Sequence, residues 1–125
     1  MQILEITKIE YDIILCKYLC SQLNLADAKS ALNERVTEQS NLLPNTKDVK
    51  LLIDTSKLKK VSKDARTFLS SEEGQEGIES CAILVKSSLT ATIANFFVKI
   101  DFSNKNSKVP VKLFSNKNSA IKWLK

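Results

Sequence analysis

Histidine is missing from this 125-residue chain. That absence excludes Ser-His-Asp and Cys-His catalytic arrangements, and a four-ligand Cys/His zinc site cannot be assembled. Glycine occurs only twice, as Gly74 and Gly77 in one segment. Neither a GxGxxG fingerprint nor a phosphate-cradling P-loop can therefore be present. Arginine also occurs twice, against 17 lysines. Planar recognition of bases and phosphates favours arginine forks, so this balance argues against nucleic-acid binding. No apolar run approaches the roughly 20 residues that span a bilayer. Glu5 and Glu10 interrupt the first apolar stretch and no cationic segment precedes it, unlike a secretory leader. A cytoplasmic protein with no membrane span is the expectation.

Cys16, Cys20 and Cys81 lie in or beside apolar runs. An odd count without a leader argues against a disulfide framework, and small buried hydrophobes are the plain reading. Glu72, Glu73, Glu76 and Glu79 could hold a metal, but consecutive acids near a helix end read as a solvated face. No catalytic residue, cofactor or metal is assigned, and the chain is not read as an enzyme.

What is present suits one packed domain, residues 1–125. Hydrophobic residues make up 43%, enough for a single core. Charge is uneven: residues 1–79 carry 11 basic and 13 acidic side chains, a net of −2. Residues 80–125 carry eight lysines and one acid, Asp101, a net of +7. The basic end could meet an acidic partner or phosphate.

Taken in order, residues 2–9 and 13–18 read as strands of a hairpin around Glu10-Tyr11-Asp12. Asn24 is placed to cap a helix over about 25–39, with Leu25, Ala28, Leu32 and Val36 on its inner face. Residues 49–53 form a buried strand ending at Asp54. Ser62 caps a helix over about 63–73, which Gly74 or Gly77 stops. Residues 82–85 are another buried strand, followed by a helix over about 89–101. Residues 109–114 are the last strand, and Asn116 caps a short final helix with Ala120, Ile121, Trp123 and Leu124. FSNKNS occurs twice, at 102–107 and 114–119, a repeat too short for a solenoid. The fold class is α/β: a mixed sheet of about five strands, opened by a β-hairpin and flanked by about four helices.

The segment DTSKL at 54–58, with ARTFLSSEEG (65–74), NFFVKI (95–100), VPVKLF (109–114) and AIKWL (120–124), resembles the STAS fold of anti-sigma-factor antagonists and sulfate-transporter tails. It is most similar to small uncharacterised bacterial STAS-like proteins. The resemblance implies a regulatory or protein-interaction module without catalysis. Phosphoregulated antagonists carry Asp-Ser-Ser-Gly where the second helix begins; here Ser62-Lys63-Asp64-Ala65 stand in its place. The serine pair that would accept phosphate is absent.

Two functional classes follow. The first is a protein-interaction module. The second binds a small ligand, an anionic metabolite, nucleotide or lipid, at the carboxyl ends of the parallel strands. Three strand ends would contribute Thr55 and Ser56, then Lys86, Ser87 and Ser88, then Ser115, Asn116 and Lys117. Each precedes a helix start, where free N–H groups favour an anion, although serine and asparagine also cap helices for their own sake. A deep apolar pocket would favour the ligand class, and an exposed apolar patch the interaction class. The third helix carries Leu89, Ile93, Phe96, Phe97, Val98 and Ile100, a wider apolar sector than one packed stripe needs. A homodimer with Phe96 or Phe97 in its interface is the corresponding expectation.

Overall fold

The computed structural model of the chain describes residues 2–85 and 109–125. The expected third helix, with Phe96 and Phe97, and the segment Lys86-Ser87-Ser88 lie outside the described residues.

The first two strands, β1 (Leu4–Glu10) and β2 (Ile13–Tyr18), form an antiparallel hairpin. Tyr11 turns it with φ of +30°, in the left-handed region that residues with a Cβ seldom enter. The register slips between Lys8 and Glu10, a bulge that sharpens the twist beside the turn. Strands β4 (Val49–Asp54), β6 (Ile78–Leu84) and β7 (Val111–Phe114) join β2 in parallel, giving the order β1-β2-β4-β6-β7. This is the mixed five-stranded sheet with an N-terminal hairpin that the sequence predicts.

Alternation along the strands divides the sheet into two faces. Ile14, Leu51, Cys81 and Val111 stand in one row, and Cys16, Ile53, Ile83 and Leu113 in the next. Both rows belong to the larger core, with Ala28, Ala31 and Ala65 of the covering helices. The opposite face presents Ile13, Leu52 and Ala82 to a smaller core closed by Ala120 and Leu124. There Trp123 stacks obliquely on Phe114, ring centres 5.7 Å apart.

Helix α1 (Leu25–Leu42) starts where a capping box forms. The Asp27 N–H donates to Asn24 Oδ1 at 2.8 Å, and the Asn24 N–H returns to the Asp27 carboxylate at 3.3 Å. Its inner face is not the expected 25/28/32/36 stripe. Ala28, Ala31, Arg35 and Gln39 are buried, Leu32 is half-buried and Val36 is exposed. The helix is turned because Arg35 and Gln39 find backbone carbonyls to bond on the inside, which removes the penalty for burying them. Glu34, beside them, accepts the Ile3 and Leu4 N–H groups at 3.0 and 2.9 Å. It ties the outer strand to the helix.

Helix α2 (Lys63–Leu69) is capped by Ser62, whose Oγ accepts from the Ala65 N–H at 3.1 Å. It stops four residues before the expected end. Ser70 and Ser71 turn their hydroxyls onto the Thr67 and Phe68 carbonyls, offering the backbone an alternative to the helical ladder. Gly74 then sits so close to the backbone of Phe68 and Leu69 that no side chain fits, and Gly77 takes φ of +75°.

Strand β6 begins at Ile78 rather than near 82 because β4 pairs with it from Val49 onward, whatever the polarity of Glu79 and Ser80. A small parallel pair, β3 (Gln22–Leu23) with β5 (Lys60–Val61), closes the loops before α1 and α2. Helix α3 (Lys117–Leu124) is capped by Asn116, whose Oδ1 accepts from the Ser119 N–H at 3.0 Å. Lys125, just beyond it, pairs with Glu10 at 3.1 Å. Among the described residues no helix is long and apolar enough to cross a membrane.

Candidate functional site

Among the described residues the larger core leaves a space open. Between the sheet and α1 lies a cavity of about 80 Å³. Leu4, Cys16, Tyr18, Leu51, Ile53, Cys81, Ile83 and Val111 floor it from the sheet. Ala31, Leu32 and Arg35 of α1 and Leu69 of α2 roof it, and Gly74 and Gln75 close one side. The alternation that sends Cys16, Ile53 and Ile83 to this face is what makes the wall apolar.

Arg35 is the exception in that wall. It is 5% exposed. One terminal nitrogen donates to Gln39 Oε1 at 2.9 Å; the other donates to the Glu76 carbonyl at 2.8 Å and, at 3.5 Å, to that of Gly74. Gln39 continues the pattern by donating to the Gly77 carbonyl at 3.1 Å. Two side chains of α1 thus hold the carbonyls of the α2–β6 connection, and the early end of α2 is what leaves those carbonyls free. Burial pulls the guanidinium below its ordinary value, opposed by Cys16, Tyr18, Cys81 and Glu76. It stays a cation under any ordinary condition.

The thiols and the phenol beside it are neutral. Burial pushes the Cys16 thiol up to about 12, against the pull of Arg35. Burial, reinforced by Cys16 and again opposed by Arg35, does the same to Cys81. The Tyr18 phenol is raised, first by burial and then by the three cysteines. These thiols lack the thiolate character that nucleophilic or redox chemistry needs.

The family described as "Domain of unknown function (DUF7793)" matches residues 7–125. The chain belongs to that family. A similar solved structure is an uncharacterised protein of the DUF3478 family from Shewanella loihica PV-4, described as having a SpoIIAA-like fold. It is 19% identical with a TM-score of 0.62, over 98% of this chain and 92% of that one. The likeness shows that the DUF7793 chain has a SpoIIAA-like, that is STAS-like, fold. A search of curated proteins finds no match.

The strand-end residues of this DUF7793 chain divide. β4, β6 and β7 run parallel, so Thr55-Ser56 and Ser115-Asn116-Lys117 do lie at the same end of the sheet. Thr55 is buried, and both its N–H and its hydroxyl go to the Leu84 carbonyl, the hydroxyl at 2.7 Å. The Ser56 N–H donates to Asp54 Oδ1 at 2.8 Å. Ser115, Asn116 and Lys117 are exposed, with the Asn116 side chain engaged as the helix cap. Among the described residues no group of three or more Cys, Asp or Glu side chains is placed to share a metal ion.

Sequence reasoning did not find the cavity. Its one visible trace is Arg35 itself, one of two arginines in a lysine-rich chain, seven residues after Ala28 and so on the same helical face.

Proposed function

We propose that this chain is a non-catalytic binding module of STAS-like fold, and that the cavity beneath α1 receives a small ligand. The observation that carries this reading is the cavity of about 80 Å³ that the described residues leave between the sheet and α1. Protein interiors pack to crystal-like density and rarely keep a void larger than one water. Ligand sites are walled mostly by apolar side chains with a few polar groups set among them, and this wall has that composition. The space is small. With about 30 Å³ per water-sized group, it holds roughly two or three such groups. The occupant is a molecule of a few heavy atoms, or the end of a longer one. The lack of histidine and the neutral, buried thiols support a role in binding rather than turnover.

The test is an NMR screen of the full chain against small organic molecules, paired with Ala31→Leu. Ala31 is buried and lines the cavity, so leucine there occupies the space. The expected result is shifts at Leu4, Cys16 and Ile83 in the wild type and none in the variant. Shifts that persist unchanged in a folded Ala31→Leu protein, or no shift from any compound, refute the reading.

A further inference from the structure

We propose that the cavity is a carboxylate site, with Arg35 as its anion anchor and the apolar wall holding a short alkyl tail. This deepens the proposed function and rests on it.

The argument begins with the company Arg35 keeps. Its three hydrogen bonds all go to neutral oxygens, the Gln39 amide and the Gly74 and Glu76 carbonyls. A guanidinium has five N–H donors, so two are left over among the described residues. The ion pairs among those residues are Lys50 with Asp12 and Glu79, and Lys125 with Glu10. None of them includes Arg35. Cys16, Tyr18 and Cys81, its titratable neighbours in the wall, are un-ionised at neutral pH. A cation that is 5% exposed therefore stands at an apolar cavity without an ion pair among the described residues, the Glu76 carboxylate acting on it only as the weakest of its electrostatic neighbours. Buried charges in proteins are paired or hydrogen-bonded, and here only the second condition is met.

Charge and shape together select the ligand. A guanidinium offers parallel N–H bonds that a carboxylate accepts in bidentate fashion. Leu4, Ile53, Ile83 and Val111 offer nothing polar to the remainder of the ligand, and with Tyr18 and Gln75 the minority in the wall, a hydrocarbon remainder fits it best. Room for roughly two or three water-sized groups limits the buried part to a carboxylate with the first part of a short alkyl tail. A second anionic group would meet the apolar wall unpaired. A phosphate monoester, bulkier and doubly charged, fits less well on both counts.

The same three hydrogen bonds admit a purely structural role, with Arg35 pinning the α2–β6 connection. The experiment separates the two roles. The full chain is titrated with propionate and butyrate, and with propionamide and butyramide, which have the same shape without the charge. Chloride is held constant. Binding is read from amide shifts along the cavity wall and from the Nε–H signal of Arg35. The expected result is saturable shifts at Leu4, Arg35 and Cys81 with the carboxylates, and at least tenfold weaker binding of the amides. Arg35→Met, where folded, is expected to lose that preference, and Arg35→Lys to keep part of it.

Equal binding of acids and amides overturns the carboxylate assignment and leaves the cavity reading standing. No binding of either overturns both. Carboxylate shifts confined to surface lysines, with the Arg35 signal unmoved, also overturn it. Should Arg35→Met fail to fold, the acid–amide difference in the wild type decides the matter alone.

Discussion

Raising the pH should unfold this protein through the groups that line its cavity. Cys16 and Cys81 ionise near 9.0 in an ordinary setting and are held at about 12 here, chiefly by burial. The folded chain therefore keeps two protons that the unfolded chain releases. Stability from this source is complete below about pH 9 and falls as the pH rises toward about 12. At about pH 10 an unfolded thiol is roughly nine-tenths thiolate, and the resulting loss is about 1.4 kcal/mol for each cysteine. The two together remove about 3 kcal/mol, a large part of the 5–15 kcal/mol typical of a folded domain. Tyr18, also raised by burial, acts in the same direction at higher pH. The assay is urea unfolding under reducing conditions at about pH 7.5 and about pH 10. The wild type is compared with the Cys16→Ala/Cys81→Ala double variant. The variant starts lower, because two buried side chains have been cut back. Its loss on going to the higher pH should be about 3 kcal/mol smaller. Contributions from groups remote from the two cysteines are the same in both proteins and cancel. An identical pH dependence in the two proteins refutes the reasoning.

Three further outcomes are expected. Ser62→Ala removes the cap of α2 and should lower stability by about 1 kcal/mol, and mass spectrometry of protein from its natural host should find no phosphate on Ser62. Gly74→Ala places a methyl group against the Phe68 carbonyl oxygen and should cost about 2–3 kcal/mol, read as a fall in the denaturation midpoint; a neutral effect refutes the packing described. Glu34→Ala deprives the Ile3 and Leu4 N–H groups of their acceptor and should cost about 1–3 kcal/mol, with faster hydrogen exchange at those two amides and little change along β6.

Much of the architecture is legible in the sequence because it rests on local signals. Asn24, Ser62 and Asn116 are short polar side chains ahead of periodic apolar segments, and each caps the helix it precedes. Short apolar runs bounded by polar turns identify β2, β4 and β7. Three features escape such reading. β3 and β5 are two residues each, too short to show a period. The inner face of α1 includes Arg35 and Gln39, which pattern reading assigns to solvent; only the carbonyls of a loop some forty residues later make that face habitable. The end of α2 turns on two serine hydroxyls, where composition points to the glycines beyond. The cavity is less legible still, since its walls come from β1, β2, β4, β6, β7, α1 and α2, and a void follows from how they meet rather than from any one of them.

The hairpin has a bearing on how the chain reaches this fold. Among the described residues the sheet has four ladders, three of them parallel. A parallel ladder cannot form until a long crossover closes, and closure costs entropy before any contact rewards it. Between β2 and β4 that crossover runs from Leu19 to Asp48. The β1–β2 pair alone is joined by a tight turn, so it is the one pairing available early. Its tip is Tyr11, 87% exposed and at φ of +30°. Relieving the strain at that solvent-facing residue is therefore expected to speed the closing of the hairpin. Tyr11→Gly removes the strain and touches nothing in the core. It should raise the folding rate and leave the unfolding rate nearly unchanged. A change confined to unfolding in stopped-flow measurements would show that the hairpin closes after the parallel strands have assembled.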